Sequence, residues 1–219
     1  MVTIYGVYRS RASRNYWLLA EIGMTAETVP VIQASRVRDP LAPGAPINTR
    51  SPEYLAINPA GGIPAMKDGD LVLAESLAIN LYLARTYGGA LGPVSPAEDA
   101  KMMEWALFAA TSIEPFTVSV LYANRDFGAG SPGARAVIAE MLGKLERPMA
   151  ALETVLAESG FLVGNRFTVA DINMAECVRY AQGEKDFLAR FPATLAWLEA
   201  CQSRPAFKAM WAGRLAEPE

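Results

Sequence analysis

The 219-residue chain contains no histidine and only two cysteines, Cys177 and Cys201, and these absences remove whole classes of chemistry. Without an imidazole there is neither a Ser-His-Asp triad nor a Cys/His zinc centre. The two cysteines, with no C-x-x-C between them, offer no thioredoxin-type dithiol; both fall in helical stretches and are expected to be small buried core residues. Charge of one sign is lacking too: Lys and Arg number 20 against 23 Asp and Glu, a net −3, and the basic residues are scattered, which argues against a nucleic-acid partner. No window approaches eighteen uninterrupted apolar residues, and MVTIYGVYRS has no apolar core of a signal peptide. The expectation is therefore no membrane span, a cytoplasmic location and no metal. Any catalysis has to come from hydroxyls, carboxylates, backbone dipoles or a bound co-substrate.

What is present is a 52% hydrophobic composition, enough core for one large or two small domains. Residues 2–6 (VTIYG) read as a strand, 14–22 (RNYWLLAEI) as an amphipathic helix stopped by Gly23, and 27–32 as a second strand; a crossover of this length predicts a parallel, right-handed β-α-β unit. Pro40, Pro43, Pro46 and Pro52 exclude a long helix in the following excursion and leave room for one helical turn at 52–56. Asp68-Gly69, between Ala65-Met66-Lys67 and Asp70-Leu71-Val72-Leu73, predicts a two-residue hairpin turn. Residues 75–87 form the next helix, ended by Gly88-Gly89. Beyond a linker at 93–96 the period is helical throughout, over about 96–124, 132–158, 168–182 and 192–212. Within it, Thr168 is an N-cap with Asp171 three residues on, and Phe167 and Ile172 are placed as a hydrophobic staple. The organisation predicted is an α/β domain over 1–87 and an all-α domain over 95–219.

Pro64 stands at the mouth of the first hairpin strand, where it has no N–H to donate. Either it lies on an unpaired edge, or its peptide bond is cis and the strand leaves the sheet there, freeing backbone groups for something else.

The stretch SPEYLAINPAGGIPAM followed by DGDLVLAESLAINLYLA (Ser51–Ala84) closely resembles the glutathione-binding half of cytosolic glutathione transferases, in their serine-type, bacterial-like form. FTVADI (167–172) and FPATLAWLEACQSRPAF (Phe191–Phe207) resemble that family's later helices, so the likeness runs along nearly the whole chain. The resemblance implies a thioredoxin-like N-terminal domain, an all-helical C-terminal domain, usually a homodimer, and a glutathione site in the first domain with a hydrophobic co-substrate pocket at the cleft. It implies that Pro64 is cis and that Ile63 turns its N–H and C=O to the cysteinyl part of glutathione, which docks like an added strand. Ser76, at a helix start whose dipole suits a carboxylate, is expected to hold the γ-glutamyl carboxylate, and Glu75 its ammonium.

In this reading the nucleophile is the glutathione thiol, which attacks a hydrophobic electrophile in a detoxification reaction. Lowering a thiol pKa by two units from about 8.5 takes about 2.7 kcal/mol of selective thiolate stabilisation. A helix N-terminus supplies ~0.3–2 kcal/mol and a hydrogen bond to a charged acceptor ~1.5–3, so the two suffice. Ser10, four residues before Arg14, matches the serine of the serine-type members; Ser13 and Tyr8 are its rivals. Arg9, Arg11 and Arg14 read as a solvated or salt-bridged face, one of which could meet the glycyl carboxylate. Phe108 and Phe116 are candidates for the second-substrate pocket. Two departures stand out: Gly62 where many relatives have Lys or Arg, and the long proline-rich excursion at 33–57. Two further functions are compatible with the same residues, a glutathione-dependent lyase, reductase or isomerase of a specialised metabolite, and a catalytically silent binding protein.

Overall fold

The computed structural model describes residues 1–218. Its elements are β1 (Thr3–Tyr5), α1 (Ser13–Glu21), β2 (Glu27–Val29), α2 (Pro52–Leu55), β3 (Ala65–Asp68), β4 (Leu71–Ala74), α3 (Ser76–Tyr87), α4 (Pro96–Phe108), α5 (Glu114–Phe127), α6 (Pro132–Ser159), α7 (Val169–Val178), α8 (Lys185–Leu188), α9 (Pro192–Ser203) and α10 (Pro205–Ala216). They form two compact units, Met1–Gly89 with the segment from Pro205 on, and Ala90–Arg204.

In the first unit the sheet order is β2-β1-β3-β4. β1 runs parallel to β2, with Ile4 opposite Thr28, and antiparallel to β3, with Ile4 opposite Met66. α1 supplies the predicted crossover and buries Trp17, Leu18 and Leu19. This is the thioredoxin-like arrangement, and the Ala90–Arg204 unit is helical. β2 stops at Val29, three residues short of its predicted end, because Pro30 has no N–H for the ladder; Ile32 instead bridges to Asn48. The hairpin turn is also displaced. Asp68 pairs with Leu71, so the loop is Gly69-Asp70 rather than Asp68-Gly69, and Gly69 takes the left-handed φ of +57° that a two-residue turn wants at its first position. Asp68 is held in the strand by the hydroxyls of Tyr82 and Tyr87, both donating to its Oδ2.

α10 follows the helical segments in the chain but packs on α1, where Phe207 meets Trp17 edge-on at 4.9 Å and stacks on Trp211 at 5.7 Å. The helix predicted over 192–212 breaks before it, since Pro205 drives Arg204 into extended backbone (ψ 140°).

In the helical unit the predicted 96–124 helix is interrupted by a π-turn at Ala109–Ile113. Pro115 lies in the first turn of α5, where its missing N–H and its ring would disrupt a continuous ladder; the wider turn accommodates it. By length and composition alone the Pro96–Phe127 run is apolar enough to cross a bilayer. Here its Met102, Ile113 and Val120 are buried in the unit's own core. All ten residues of α7 are buried, among them Cys177, whose thiol lies 3.6 Å from Glu114 Oε2; Cys201 on α9 is buried as well.

The predicted capping box is present, and it carries more than a helix start. Asp171 accepts from Thr168 N–H (2.9 Å) and Thr168 Oγ1 (3.1 Å) with Oδ2, and from Leu162 N–H (3.1 Å) and Trp197 Nε1 (2.9 Å) with Oδ1. Burial pushes this carboxyl's pKa up while the four hydrogen bonds pull it back. Asp171→Ala strands those donors in the core, so chemical denaturation is expected to show a loss of roughly 3–5 kcal/mol.

Arg166 closes a second clamp, donating to both carboxylate oxygens of Glu98 (2.9 and 2.6 Å) and to the carbonyls of Ala90 and Gly92. The hydrogen bonds from Arg166 hold Glu98 down to about 2 from an ordinary 4.5. An acid with a depressed folded pKa stabilises fully above its unfolded value and loses that stabilisation as pH falls through the folded one. The urea midpoint of Glu98→Gln is therefore expected to lie below that of the parent at neutral pH, and the gap to narrow as pH falls from about 4.5 toward 2.

Candidate active site

The Ile63-Pro64 bond is cis, which decides between the two readings of Pro64. β3 begins only at Ala65, and among the described residues nothing bonds to the Ile63 N–H or C=O. The preceding NPAGG turn is locked around Asn58, whose Nδ2 donates to Gly62 O at 2.8 Å while its Oδ1 accepts from Ala60 N–H at 3.2 Å; Tyr54 OH also donates to Gly62 O. Gly61 takes a φ of +64°, and a Cβ there would lie 2.8 Å from Thr49 O. The turn thus presents Ile63 with its polar groups open, as an added-strand ligand requires.

Gly6, at the end of β1, brings Ser10 to the same place. A Cβ on Gly6 would come 2.7 Å from Ile63 Cγ2, 2.8 Å from Ala12 Cβ and 3.7 Å from Ser10 Oγ. The Ser10 hydroxyl and the Ile63 side chain therefore border one spot. Ser10 Oγ donates to Val7 O at 2.6 Å and accepts from Ala12 N–H at 3.0 Å, just before α1. Of its rivals, Ser13 has no exposed surface. The Tyr8 ring packs on Tyr16 at 4.3 Å and against Gly213 of α10, and burial, helped by Glu217, raises its pKa.

Ser76 opens α3 and is tied to α1 from two sides. Arg14 Nη1 donates to Ser76 Oγ at 3.0 Å, and Asn15 Nδ2 donates to Ser76 O at 3.0 Å and to Asn80 Oδ1 at 2.7 Å. Arg14 is 1% exposed, so the solvated face read for the three arginines does not hold for it. Glu75 is exposed and takes a φ of +67°, an uncommon conformation for a residue with a Cβ that is found most often where function demands it. The side chain of the N-cap residue, Glu75, makes no capping bond, and the positive end of the α3 dipole lies at Ser76.

The excursion is ordered by Asn48, which is fully buried and donates to the carbonyls of Pro40 (2.9 Å) and Pro46 (2.8 Å). Its one α-helical turn, α2, lies where the prolines allow it. At Gly62 the nearest atom to an added Cβ is Asn58 Nδ2 at 3.9 Å, so a side chain fits there. Phe108 and Phe116 are both half-buried in the helical unit; Phe108 meets Trp105 edge-on at 5.4 Å and Phe116 lies 5.9 Å beneath the Lys144 amine. Among the described residues no group of three or more Cys, Asp or Glu is placed to hold a metal ion.

Comparison with known proteins places the chain in a family. Residues 1–85 match the model of the glutathione S-transferase N-terminal domain and 100–205 that of the C-terminal domain. The chain is 33% identical over 198 residues to glutathione S-transferase 3 of Zea mays (87% of this chain, 84% of that one) and 30% identical over 218 residues to glutathione S-transferase F10 of Arabidopsis thaliana (95% of each). A Phanerochaete chrysosporium glutathione transferase solved with oxidized glutathione superposes with a TM-score of 0.77 at 26% identity, covering 98% of this chain and 96% of that one. The chain belongs to the glutathione transferase family.

Sequence reasoning missed Tyr54, Asn15, Asn80 and Glu217, and gave Asn58 a place in the family motif but no structural role. Asn58 alone carried a local signal, an Asn two residues before a backbone N–H that it accepts. Gly6→Ala is expected to cost about 1–3 kcal/mol by overpacking and, by displacing Ile63, to weaken glutathione binding in calorimetric titration.

Proposed function

We propose that this protein is a cytoplasmic, homodimeric glutathione transferase that uses Ser10 to stabilise the glutathione thiolate for attack on a hydrophobic electrophile. The observation that carries the reading is the junction at Gly6, which the Ser10 hydroxyl and the Ile63 side chain both border, with the Ile63 N–H and C=O unbonded among the described residues. Glutathione docks its cysteinyl backbone on Ile63, its γ-glutamyl carboxylate on Ser76 at the start of α3, and its ammonium on Glu75. The Arg14 guanidinium behind Ser76 adds positive charge where that carboxylate lands.

Ser10 spends its proton on Val7 O in the ligand-free chain. A thiolate is a charged acceptor, worth ~1.5–3 kcal/mol per hydrogen bond against ~0.5–1.5 for a carbonyl, so the hydroxyl rotates to sulfur once glutathione is bound. With the dipole of α1 this covers the roughly 2.7 kcal/mol needed to lower the thiol pKa by two units. The thiol proton leaves to solvent, sulfur forms a bond to the electrophilic carbon, and a leaving group departs or the electron pair is taken up in an addition. Phe108 and Phe116 are assigned to the electrophile's pocket.

Ser10→Ala is expected to keep glutathione binding, lose the thiolate absorbance of bound glutathione at neutral pH, and reduce turnover of a chlorinated nitroarene by about 10²-fold, the factor for a two-unit rise in thiol pKa. Unchanged turnover would remove Ser10 from the mechanism.

A further inference from the structure

The turn that carries Ser10 belongs to no strand or helix, and side chains from distant segments hold its backbone. Tyr8 N–H and Arg9 N–H donate to the two carboxylate oxygens of Glu217 at 2.6 and 2.8 Å. Tyr8 C=O accepts from Arg214 Nη1 at 2.7 Å, and Arg9 C=O accepts from Gln33 Nε2 at 3.2 Å. The tail is gripped in return: Arg9 Nε donates to Glu217 O and Arg36 Nη2 to Pro218 O, each at 3.0 Å. Every polar backbone group of residues 8 and 9 is thus engaged, two of the four by one carboxylate just past the end of α10.

We infer that Glu217 is a positioning residue for Ser10: its carboxylate fixes the Val7–Ser10 turn so that the serine hydroxyl faces the spot shared with Ile63. The inference rests on the reading of Ser10 as the thiolate's hydrogen-bond donor. Val7 O accepts from both Ser10 N–H (3.1 Å) and Ser10 Oγ (2.6 Å), so any loosening of the turn moves the hydroxyl together with the carbonyl that competes for its proton. A carboxylate bridging two consecutive N–H groups is a charge-assisted clamp that a neutral side chain does not replace. Displacements of about 1 Å in a reacting pair cost up to 10²-fold in rate. Arg9 on the turn, Arg36 beyond β2 and Arg214 on α10 donate to the Glu217, Pro218 and Tyr8 carbonyls, and Tyr8 with Tyr16 of α1 are the titratable groups whose pKa burial raises and the Glu217 charge raises further.

Glu217→Gln sets an amide NH2 against one of the two backbone donors, and ending the chain after Ala216 removes the clamp while leaving α10 whole. Titration of the thiolate absorbance of bound glutathione is expected to place its pKa about one unit higher in both variants than in the parent, with turnover about tenfold lower below that pKa. The KM for glutathione is expected to be unchanged, since the groups assigned to its binding do not contact Glu217. If Ser10→Ala raises the thiol pKa and both Glu217 variants leave it alone, the inference is wrong and the reading of Ser10 stands. Faster turnover on removing the tail also overturns it, by making the tail a lid. If Ser10→Ala itself leaves the thiol pKa in place, the reading fails and the inference with it.

Discussion

Where β1 ends, the chain passes between Ala12 and Ile63, and only a residue without a Cβ clears both. That steric constraint organises the site. It lets the turn before α1 and the segment entering β3 both border Gly6, the one through the Ser10 hydroxyl and the other through the Ile63 side chain. The register of the sheet supplies the rest: Tyr5 stands opposite Ala65, so Ile63 lies just past the last ladder pair, and its N–H and C=O have no strand neighbour. A ligand offering a short extended backbone completes that edge, and its central side chain falls next to Ser10.

Behind this junction lies a buried polar network that binds α1 to α3. Asn15, Asn80 and Ser76 exchange hydrogen bonds, and Asn80 Nδ2 returns to Arg14 O at 3.2 Å. Such groups are costly to bury unless paired, so their pairing fixes the relative position of the two helix starts more sharply than apolar contact does. Both helix starts then lie at one end of the first unit with the positive ends of their dipoles, and the proposed function gives one to the sulfur of glutathione and the other to a carboxylate. Arg14 adds a full charge on the same side. The first unit thus prepares an anionic, strand-like ligand site from backbone and a few side chains, with no residue acting as a nucleophile.

The helical unit is built on a different principle. α7 is buried along its whole length, and Asp171 is the point where three segments, through Leu162, Thr168 and Trp197 of α9, are tied by one carboxylate. Around it the π-turn between α4 and α5 and the Glu98–Arg166 clamp adapt the outer helices to that fixed axis. Phe108 and Phe116 stay half-buried on α4 and α5, and a shared fold by itself does not determine what such side chains bind.

Much of this was legible in the residues alone. Alternation and period, caps, glycines and prolines act within a few residues, and they determined β1, the crossover helix, the hairpin, α3, α6 and the capping box, each within a few residues of its place. The motif around Asn58, Pro64 and Ser76 was enough to anticipate the cis Ile63-Pro64 bond and the family. The local errors had local causes that were harder to weigh, as with Pro30 cutting β2 short and Pro205 splitting the last long helix. What only the tertiary structure decided was the burial of Arg14, the ordering of the excursion by Asn48, and the docking of α10 on α1 with Glu217 on the Ser10 turn. A hydrogen bond that spans 208 residues leaves no mark in a periodic pattern, because its partners are neighbours only after the chain has packed.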